Sequence, residues 1–219
     1  MLIISLLCWL DYCAAWALPF SSQNLESTQE EVDQWLNSPT KVTHRVLNDK
    51  KSTTEPTNLE IVDRVLILTP LKDASLHLPR HFSLLANLTY PHHLIDLGFI
   101  IGDTTDDTQA VLDAELDKLS QHPTSPAFRN CTIVHKSLGD VRSQEVESRH
   151  GFQAQVNRRK KLAIVRNALL KEALTNEHEW VYWRDVDVAE SPAGILEDFM
   201  AHRKDVVVPS KWVDDERFE

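Results

Sequence analysis

Asp185 and Asp187, in the run Trp183-Arg184-Asp185-Val186-Asp187, are the side chains whose type and spacing point most directly to chemistry. In an extended segment, side chains two positions apart lie on the same side. Two carboxylates so placed can share one hard cation, Mg²⁺ or Mn²⁺, which takes oxygen ligands and fills its remaining positions with phosphates. A cation bridging the phosphates of a nucleotide-sugar would offset the negative charge that builds on a departing diphosphate. The bare Asp-x-Asp pattern is short enough to be a solvated acidic turn. Its context favours a site: it closes the aromatic run Trp180-Val181-Tyr182-Trp183 and precedes Ser191-Pro192, which predicts a helix start with Ser as cap and Pro in the first turn.

A second group of chemical residues is basic: Arg158-Arg159-Lys160-Lys161 with Arg166-Asn167. Lys160 and Lys161 read as a solvated helix face. Arg166 shares a helical stripe with Leu162 and Leu169, which directs it inward, and an inward guanidinium requires a carboxylate or a ligand phosphate. The ligand is the expected partner, with Asn167 orienting the helix end beside it. Of the ten histidines, His77 and His81 are four apart, but Pro79 lies between them and the glutamate of the zinc-protease pattern is missing. His92, His93 and the others read as surface residues. Gly-rich dinucleotide loops and the P-loop are absent, which argues against oxidoreductases and NTPases of the same fold class. With 33 acidic and 23 basic residues the formal charge is −10, so the basic footprint of a nucleic-acid binder is missing and an anionic ligand needs a local device such as a metal.

These residues have to be positioned by the elements around them. Val65 to Leu68, Leu97 to Ile101, Thr132 to Val134, Trp180 to Trp183 and Val206 to Val208 are short apolar runs of the kind that form strands buried on both faces. Helical spacing appears between them over Leu78 to Leu88, in the segment carrying Val111, Leu112, Leu116 and Leu119, from about Gln144 to Leu174, and after Pro192. The Asp103 to Asp107 cluster supplies cap candidates for the second of these helices. Strands that alternate with helices and lack tight hairpins predict an α/β fold with a mostly parallel sheet and helices on both faces. Ligands of such sheets bind beyond the carboxyl ends of the strands, which directs attention to Thr69-Pro70, Gly102-Asp103 and Asp185 to Asp187.

The chain divides into an apolar leader (1–20), a polar stem or linker (21–60) and the α/β domain (61–219). The leader fits a secretory signal with Ala15-Trp16-Ala17 as cleavage site, or a signal-anchor that buries Asp11 at roughly 2.5 to 3.5 kcal/mol. Cys8 and Cys13 fall in the leader and Cys131 stands alone in the body, so no disulfide is expected to hold the domain. Asn87-Leu88-Thr89 and Asn130-Cys131-Thr132 fit the glycosylation acceptor pattern.

Read together, Val65 to Leu71, Tyr90 to Ile101, Arg149-His150-Gly151-Phe152 through Arg166-Asn167, Trp183 to Asp187, Pro192 to His202 and Asp205 to Pro209 resemble, in collinear order, the fungal Golgi mannan polymerase subunits, α-1,6-mannosyltransferase-like members of glycosyltransferase family 62. The resemblance implies a Rossmann-like GT-A nucleotide-sugar-binding half, GDP-mannose as donor, Mn²⁺ at Asp185 and Asp187, and retention of configuration. It implies catalytic roles for Asp185, Asp187 and Arg166, and donor contacts from Thr69, Pro70, Arg166, Asn167 and Asp185. The implied partners are a mannose-containing glycan acceptor, related polymerase subunits and the Golgi membrane, with a lumenal type II domain, or the secretory pathway if the leader is cleaved. The resembled family continues past the position of Glu219 into an acceptor-binding half, so the C-terminal half is expected to be missing here. The alternatives are a non-catalytic or truncated subunit of the complex and, more remotely, a secreted fragment.

Overall fold

The computed structural model describes residues 2–5, 33–34, 36–47, 63–121, 128–137 and 152–209. The centre of the molecule is a seven-stranded sheet in the order β2-β5-β4-β3-β6-β1-β7. Its strands are β1 (Leu2–Ser5), β2 (Thr40–Val46), β3 (Val65–Leu71), β4 (Ile95–Ile101), β5 (Asn130–Lys136), β6 (Trp180–Trp183) and β7 (Val206–Val207). Every neighbouring pair is parallel except β2 with β5. Among the described residues four α-helices cover it: α1 (Leu78–Ala86), α2 (Thr108–Gln121), α3 (Phe152–Ala173) and α4 (Ile195–Ala201).

Alternation along the central strands sends side chains into two separate cores. Val65, Ile67 and Leu71 of β3 pack with Phe82 and Leu85 of α1, Leu112 and Leu116 of α2, and Leu196 and Phe199 of α4. Leu66 and Leu68 face the other way, onto Leu169 and Ala173 of α3. The predicted parallel sheet with helices on both faces is the observed one. Gly98 of β4 lies where α3 comes closest: a Cβ there would stand 2.5 Å from a Leu68 methyl and 3.4 Å from the Ala173 methyl.

Several boundaries differ from the sequence reading. The polar stem expected over 21–60 is corrected at Thr40–Val46, which forms the antiparallel edge strand β2. Its polar, half-exposed composition resembles a linker, yet Arg45 pairs with Asp113 at 2.6 Å and Lys136 donates to the Ser38 carbonyl at 3.0 Å. β3 runs through Thr69-Pro70 to Leu71. The proline is tolerated because the pairing of β3 with β6 ends at Leu68 and Trp183, so its missing N–H deprives no neighbour. Helix α4 begins at Ile195 after Gly194 with no side-chain cap, so Ser191-Pro192 is not its start. Four residues of the leader, Leu2–Ser5, form β1 between β6 and β7. The rest of the leader, and the Gln144 to Gly151 part of the expected third helix, lie outside the described residues. No helix among the described residues is long and apolar enough to cross a membrane.

Not all histidines are at the surface. His81, His92 and His178 are buried, His92 stacked on Phe128 at 4.4 Å. His178 anchors a polar network at the amino ends of the strands. Its Nε2 lies 2.7 Å from Asp96 Oδ2, and the Nε of Arg129 donates to both Asp96 oxygens at 2.9 and 3.1 Å. The Asn130 N–H adds a third group at 3.1 Å, and Arg129 also pairs with Glu177. Burial alone would raise the Asp96 pKa, but the bonds from His178 and Arg129 outweigh it and hold the carboxyl below the ordinary range.

A folded pKa below the unfolded one gives stability that is present above the unfolded value and lost as pH falls through the folded one. Asp96→Ala is expected to cost about 3 kcal/mol in urea unfolding at pH 7, because it strands Arg129 and His178 partly buried. The same variant should show a smaller further loss on acidification than the unsubstituted chain. An unchanged acid limb would show that Asp96 does not carry this term.

Candidate functional site

Beyond the carboxyl ends of β3, β4 and β6 the chain continues into three loops. Two are bound to each other. Asp73, in the left-handed region at φ 48°, accepts the Thr105 N–H at 2.7 Å, the Ala74 N–H donates to the Thr108 hydroxyl at 2.7 Å, and the Ser75 N–H donates to Asp106 at 3.0 Å. Asp106 also accepts the Thr108 N–H at the start of α2, so the expected acidic cap is present.

The third loop carries Asp185 and Asp187. All four side chains of β6 are buried, and one more main-chain bond, Arg184 N–H to the Leu68 carbonyl at 3.0 Å, prolongs the strand's alignment up to Asp185. From there the chain does not stay extended: Val186 and Asp187 form a turn, so the period-two argument for their common side does not apply. The two carboxylates nevertheless feel each other, since the Asp187 charge helps to raise the Asp185 pKa. Burial is the largest cause of that rise, and the opposing attraction of Arg166 does not cancel it.

Arg166 reaches this carboxylate from α3. Its Nη2 donates to Asp185 Oδ1 at 3.0 Å, and its guanidinium carbon sits 5.3 Å from the centre of the Trp183 ring. The sequence analysis expected a ligand as its anion; among the described residues its partner is Asp185, the carboxylate expected to hold a cation. The stripe is also shifted. Leu169 and Ala173 pack on the sheet and Ile164 is buried, whereas Leu162 is exposed. Leu162 instead lines a groove of about 350 Å³ with Arg159, Ala163, Arg166, Asn167, Leu170 and Trp183.

Thr69 is not brought to this place. It projects to the opposite side of the sheet, under α1, where its hydroxyl lies 3.4 Å from His81 Nε2 and is sealed from solvent. Pro70 beside it is half-buried. Between β6 and α1 the structure holds a buried polar cluster that the sequence reading missed. Arg184 is 1% exposed and donates to the Tyr182 hydroxyl at 3.3 Å and the Ser191 hydroxyl at 3.1 Å. No carboxylate among the described residues pairs with it. Its charge, after burial, helps to lower the pKa of His81 to about 3, which keeps that imidazole neutral. The available signal was Arg184 itself, one residue before Asp185 and two after Tyr182, which places it on the Tyr182 side of the strand.

A mostly parallel α/β sheet with two aspartates and a guanidinium beyond its carboxyl ends defines the class of open α/β proteins, whose ligands bind in that crevice. Within that class the chain belongs to the Anp1 family, whose model matches residues 41–219. It is 49% identical over 151 residues to the mannan polymerase II complex ANP1 subunit of Saccharomyces cerevisiae, covering 68% of this chain and 30% of that protein. It is 49% identical over 149 residues to the corresponding Schizosaccharomyces pombe subunit, covering 68% of this chain and 35% of the relative. The Candida albicans mannan polymerase complex subunit MNN9 is 35% identical over 168 residues, or 76% of this chain and 44% of that one. The chain thus spans about a third of the length of the first two relatives. Among solved structures, TarS of S. aureus overlaps with a TM-score of 0.38 at 17% identity, covering 63% of this chain and 19% of that one. A Pyrobaculum calidifontis mannosyltransferase in complex with GDP-Man and Mn²⁺ overlaps at 0.37 and 16% identity, covering 74% and 34%. Overlaps this loose carry no argument about the site.

In urea unfolding without added metal, a double-mutant cycle of Arg166→Met and Asp185→Asn is expected to return a coupling of about 1 kcal/mol, as befits a partly exposed pair. Strict additivity of the two substitutions would mean that the pair contributes nothing to the ligand-free fold.

Proposed function

We propose that this chain is the donor-binding part of a metal-dependent mannosyltransferase that uses GDP-mannose and acts within a mannan polymerase complex. Membership of a family whose relatives bear that name supports the setting. Mannan is a polymer of mannose, so its extension requires an activated mannose. The single observation that carries the chemical reading is the Asp185 carboxylate held by Arg166 at the carboxyl end of β6.

The donor set fits a hard cation. Among the described residues no group of three or more His, Cys, Asp or Glu side chains could hold a metal by itself. Two carboxylates are what a Mg²⁺ or Mn²⁺ ion needs when substrate phosphates and water supply its remaining ligands. Asp185 and Asp187 would hold it, and the charge it supplies would offset that of the leaving diphosphate. Asp185, partly buried, would give the ion a site with reduced screening, and Asp187 stands exposed on the turn that follows. Arg166 supplies a fixed positive charge beside the diphosphate, and Asn167 offers neutral donor and acceptor groups at the groove. Pro70, half-buried near the carboxyl end of β3, belongs to the same donor-binding reading. The acceptor is a mannose-containing glycan, transfer retains configuration, and related subunits complete the site. A Golgi membrane location with a lumenal domain belongs to the same reading.

GDP is expected to bind more tightly with Mn²⁺ than with a chelator, and Asp187→Ala should abolish the difference. Calorimetry on the whole chain tests this without requiring turnover, and metal-independent GDP binding would sink the assignment. Because Asp185 has to be ionised to hold the ion and its pKa is raised, the metal-dependent part of binding should fade on acidification before pH reaches the ordinary aspartate range.

A further inference from the structure

The geometry points to an exchange of partners at Asp185: Arg166 occupies the carboxylate only in the absence of a cation, and cation binding hands the guanidinium to an anionic group of the ligand in the adjoining groove. The inference deepens the proposed function and rests on its metal reading.

The first reason is that the pair is half made. One nitrogen of Arg166 donates to one oxygen of Asp185, at 3.0 Å, and the buried Nε–H of the same guanidinium has no acceptor among the described residues. An arginine committed to a structural carboxylate uses its planar fork. This protein shows such a case at the other end of the sheet, where Arg129 reaches both oxygens of Asp96 through Nε and donates again through Nη2. Arg166 keeps donor capacity that Asp185 does not use.

The second reason is that the guanidinium has somewhere to go. It lines the 350 Å³ groove together with Arg159, Asn167 and Trp183. The Trp183 ring beneath it, 5.3 Å away, is attractive in any rotational setting of the guanidinium, so leaving Asp185 does not mean losing the platform. Arg159 on the same groove makes the destination positive, so Arg166 turns there at low cost only when an anion is present. In a chain of net charge −10, two arginines on one groove select a compact polyanion, the diphosphate of a nucleotide above all.

The third reason is electrostatic. A divalent cation on Asp185 sets two further positive charges beside a guanidinium a few ångströms away. Like charges at that distance repel, and the cation claims the oxygen lone pairs that Arg166 uses. Cation and arginine compete for one carboxylate, while the diphosphate relieves the competition by taking the arginine. Free cation therefore binds weakly and binds better with the nucleotide present, and linkage requires the reverse as well.

The test uses the whole chain, Mn²⁺ alone followed by water-proton relaxation, and GDP with Mn²⁺ followed by calorimetry. Arg166→Met removes the competitor, so Mn²⁺ alone should bind about fivefold tighter while GDP with Mn²⁺ binds about tenfold more weakly. Arg166→Lys keeps a charge for Asp185 but not the fork, so Mn²⁺ alone should bind as in the unsubstituted chain and GDP should still weaken, by more than in Lys160→Ala. The opposite signs in Arg166→Met are the signature. A merely structural arginine would loosen the loop and weaken both ligands, and that result, or an unchanged affinity for Mn²⁺ alone, overturns the exchange. Should Arg166→Met fail to fold, Arg166→Gln gives the same reading. Asp185→Asn separates the two levels: Mn²⁺ binding that survives this substitution, or is absent from both the unsubstituted chain and Arg166→Met even with GDP present, overturns the proposed metal site and the exchange with it. Normal Mn²⁺ binding lost in Asp185→Asn, without the gain in Arg166→Met, overturns the exchange alone.

Discussion

Burial of the central strands on both faces is the constraint on which the rest of this structure depends. β3, β4 and β6 present apolar side chains to α3 on one side and to α1, α2 and α4 on the other. A strand covered twice cannot carry polar side chains along its length without costly desolvation. Polar chemistry is therefore driven to the strand ends, where the main chain leaves the sheet and water has access. Both the network around Asp96 and the site around Asp185 are consequences of that displacement.

The two ends solve their electrostatics differently. At the amino ends Asp96 is surrounded by His178, Arg129 and the Asn130 N–H, and the carboxyl is held ionised. At the carboxyl ends Asp185 has one bond from Arg166 and a raised pKa, and the Nε groups of Arg166 and Arg184 and the Nδ1 of His81 have no partners among the described residues. A folded protein keeps few buried polar atoms unsatisfied, so these three are groups that a ligand at the candidate site would meet with capacity to spare. The amino end reads as a clasp and the carboxyl end as a socket. The buried cation of Arg184, braced by Ser191 and Tyr182, ties the two ends of the 184–191 loop and gives the carboxylates a firm base.

The apolar runs by themselves determined the α/β class, the parallel sheet and the importance of the carboxyl ends, because two-sided burial demands uninterrupted hydrophobic strands and these are visible in one dimension. Arg166 and Asp185 were legible as candidate site residues for the same reason: one stands on an apolar helical stripe and the other follows an apolar strand. What only the tertiary structure decided is who partners whom. Arg166 and Asp185 are nineteen positions apart, on a helix and beyond a strand that only the packing of α3 on the sheet brings together. The sequence could require an anion for the arginine without saying that the carboxylate itself would serve. β2 was hidden because a polar edge strand covered on one face carries no stronger pattern than a linker, and its pairing with β5 is a long-range contact. Thr69 and Arg184 follow the strictest rule of all: alternation fixes the face each side chain takes, but only the packed helices determine that those faces close over them, sealing Thr69 against His81 and burying Arg184 without a counter-ion among the described residues.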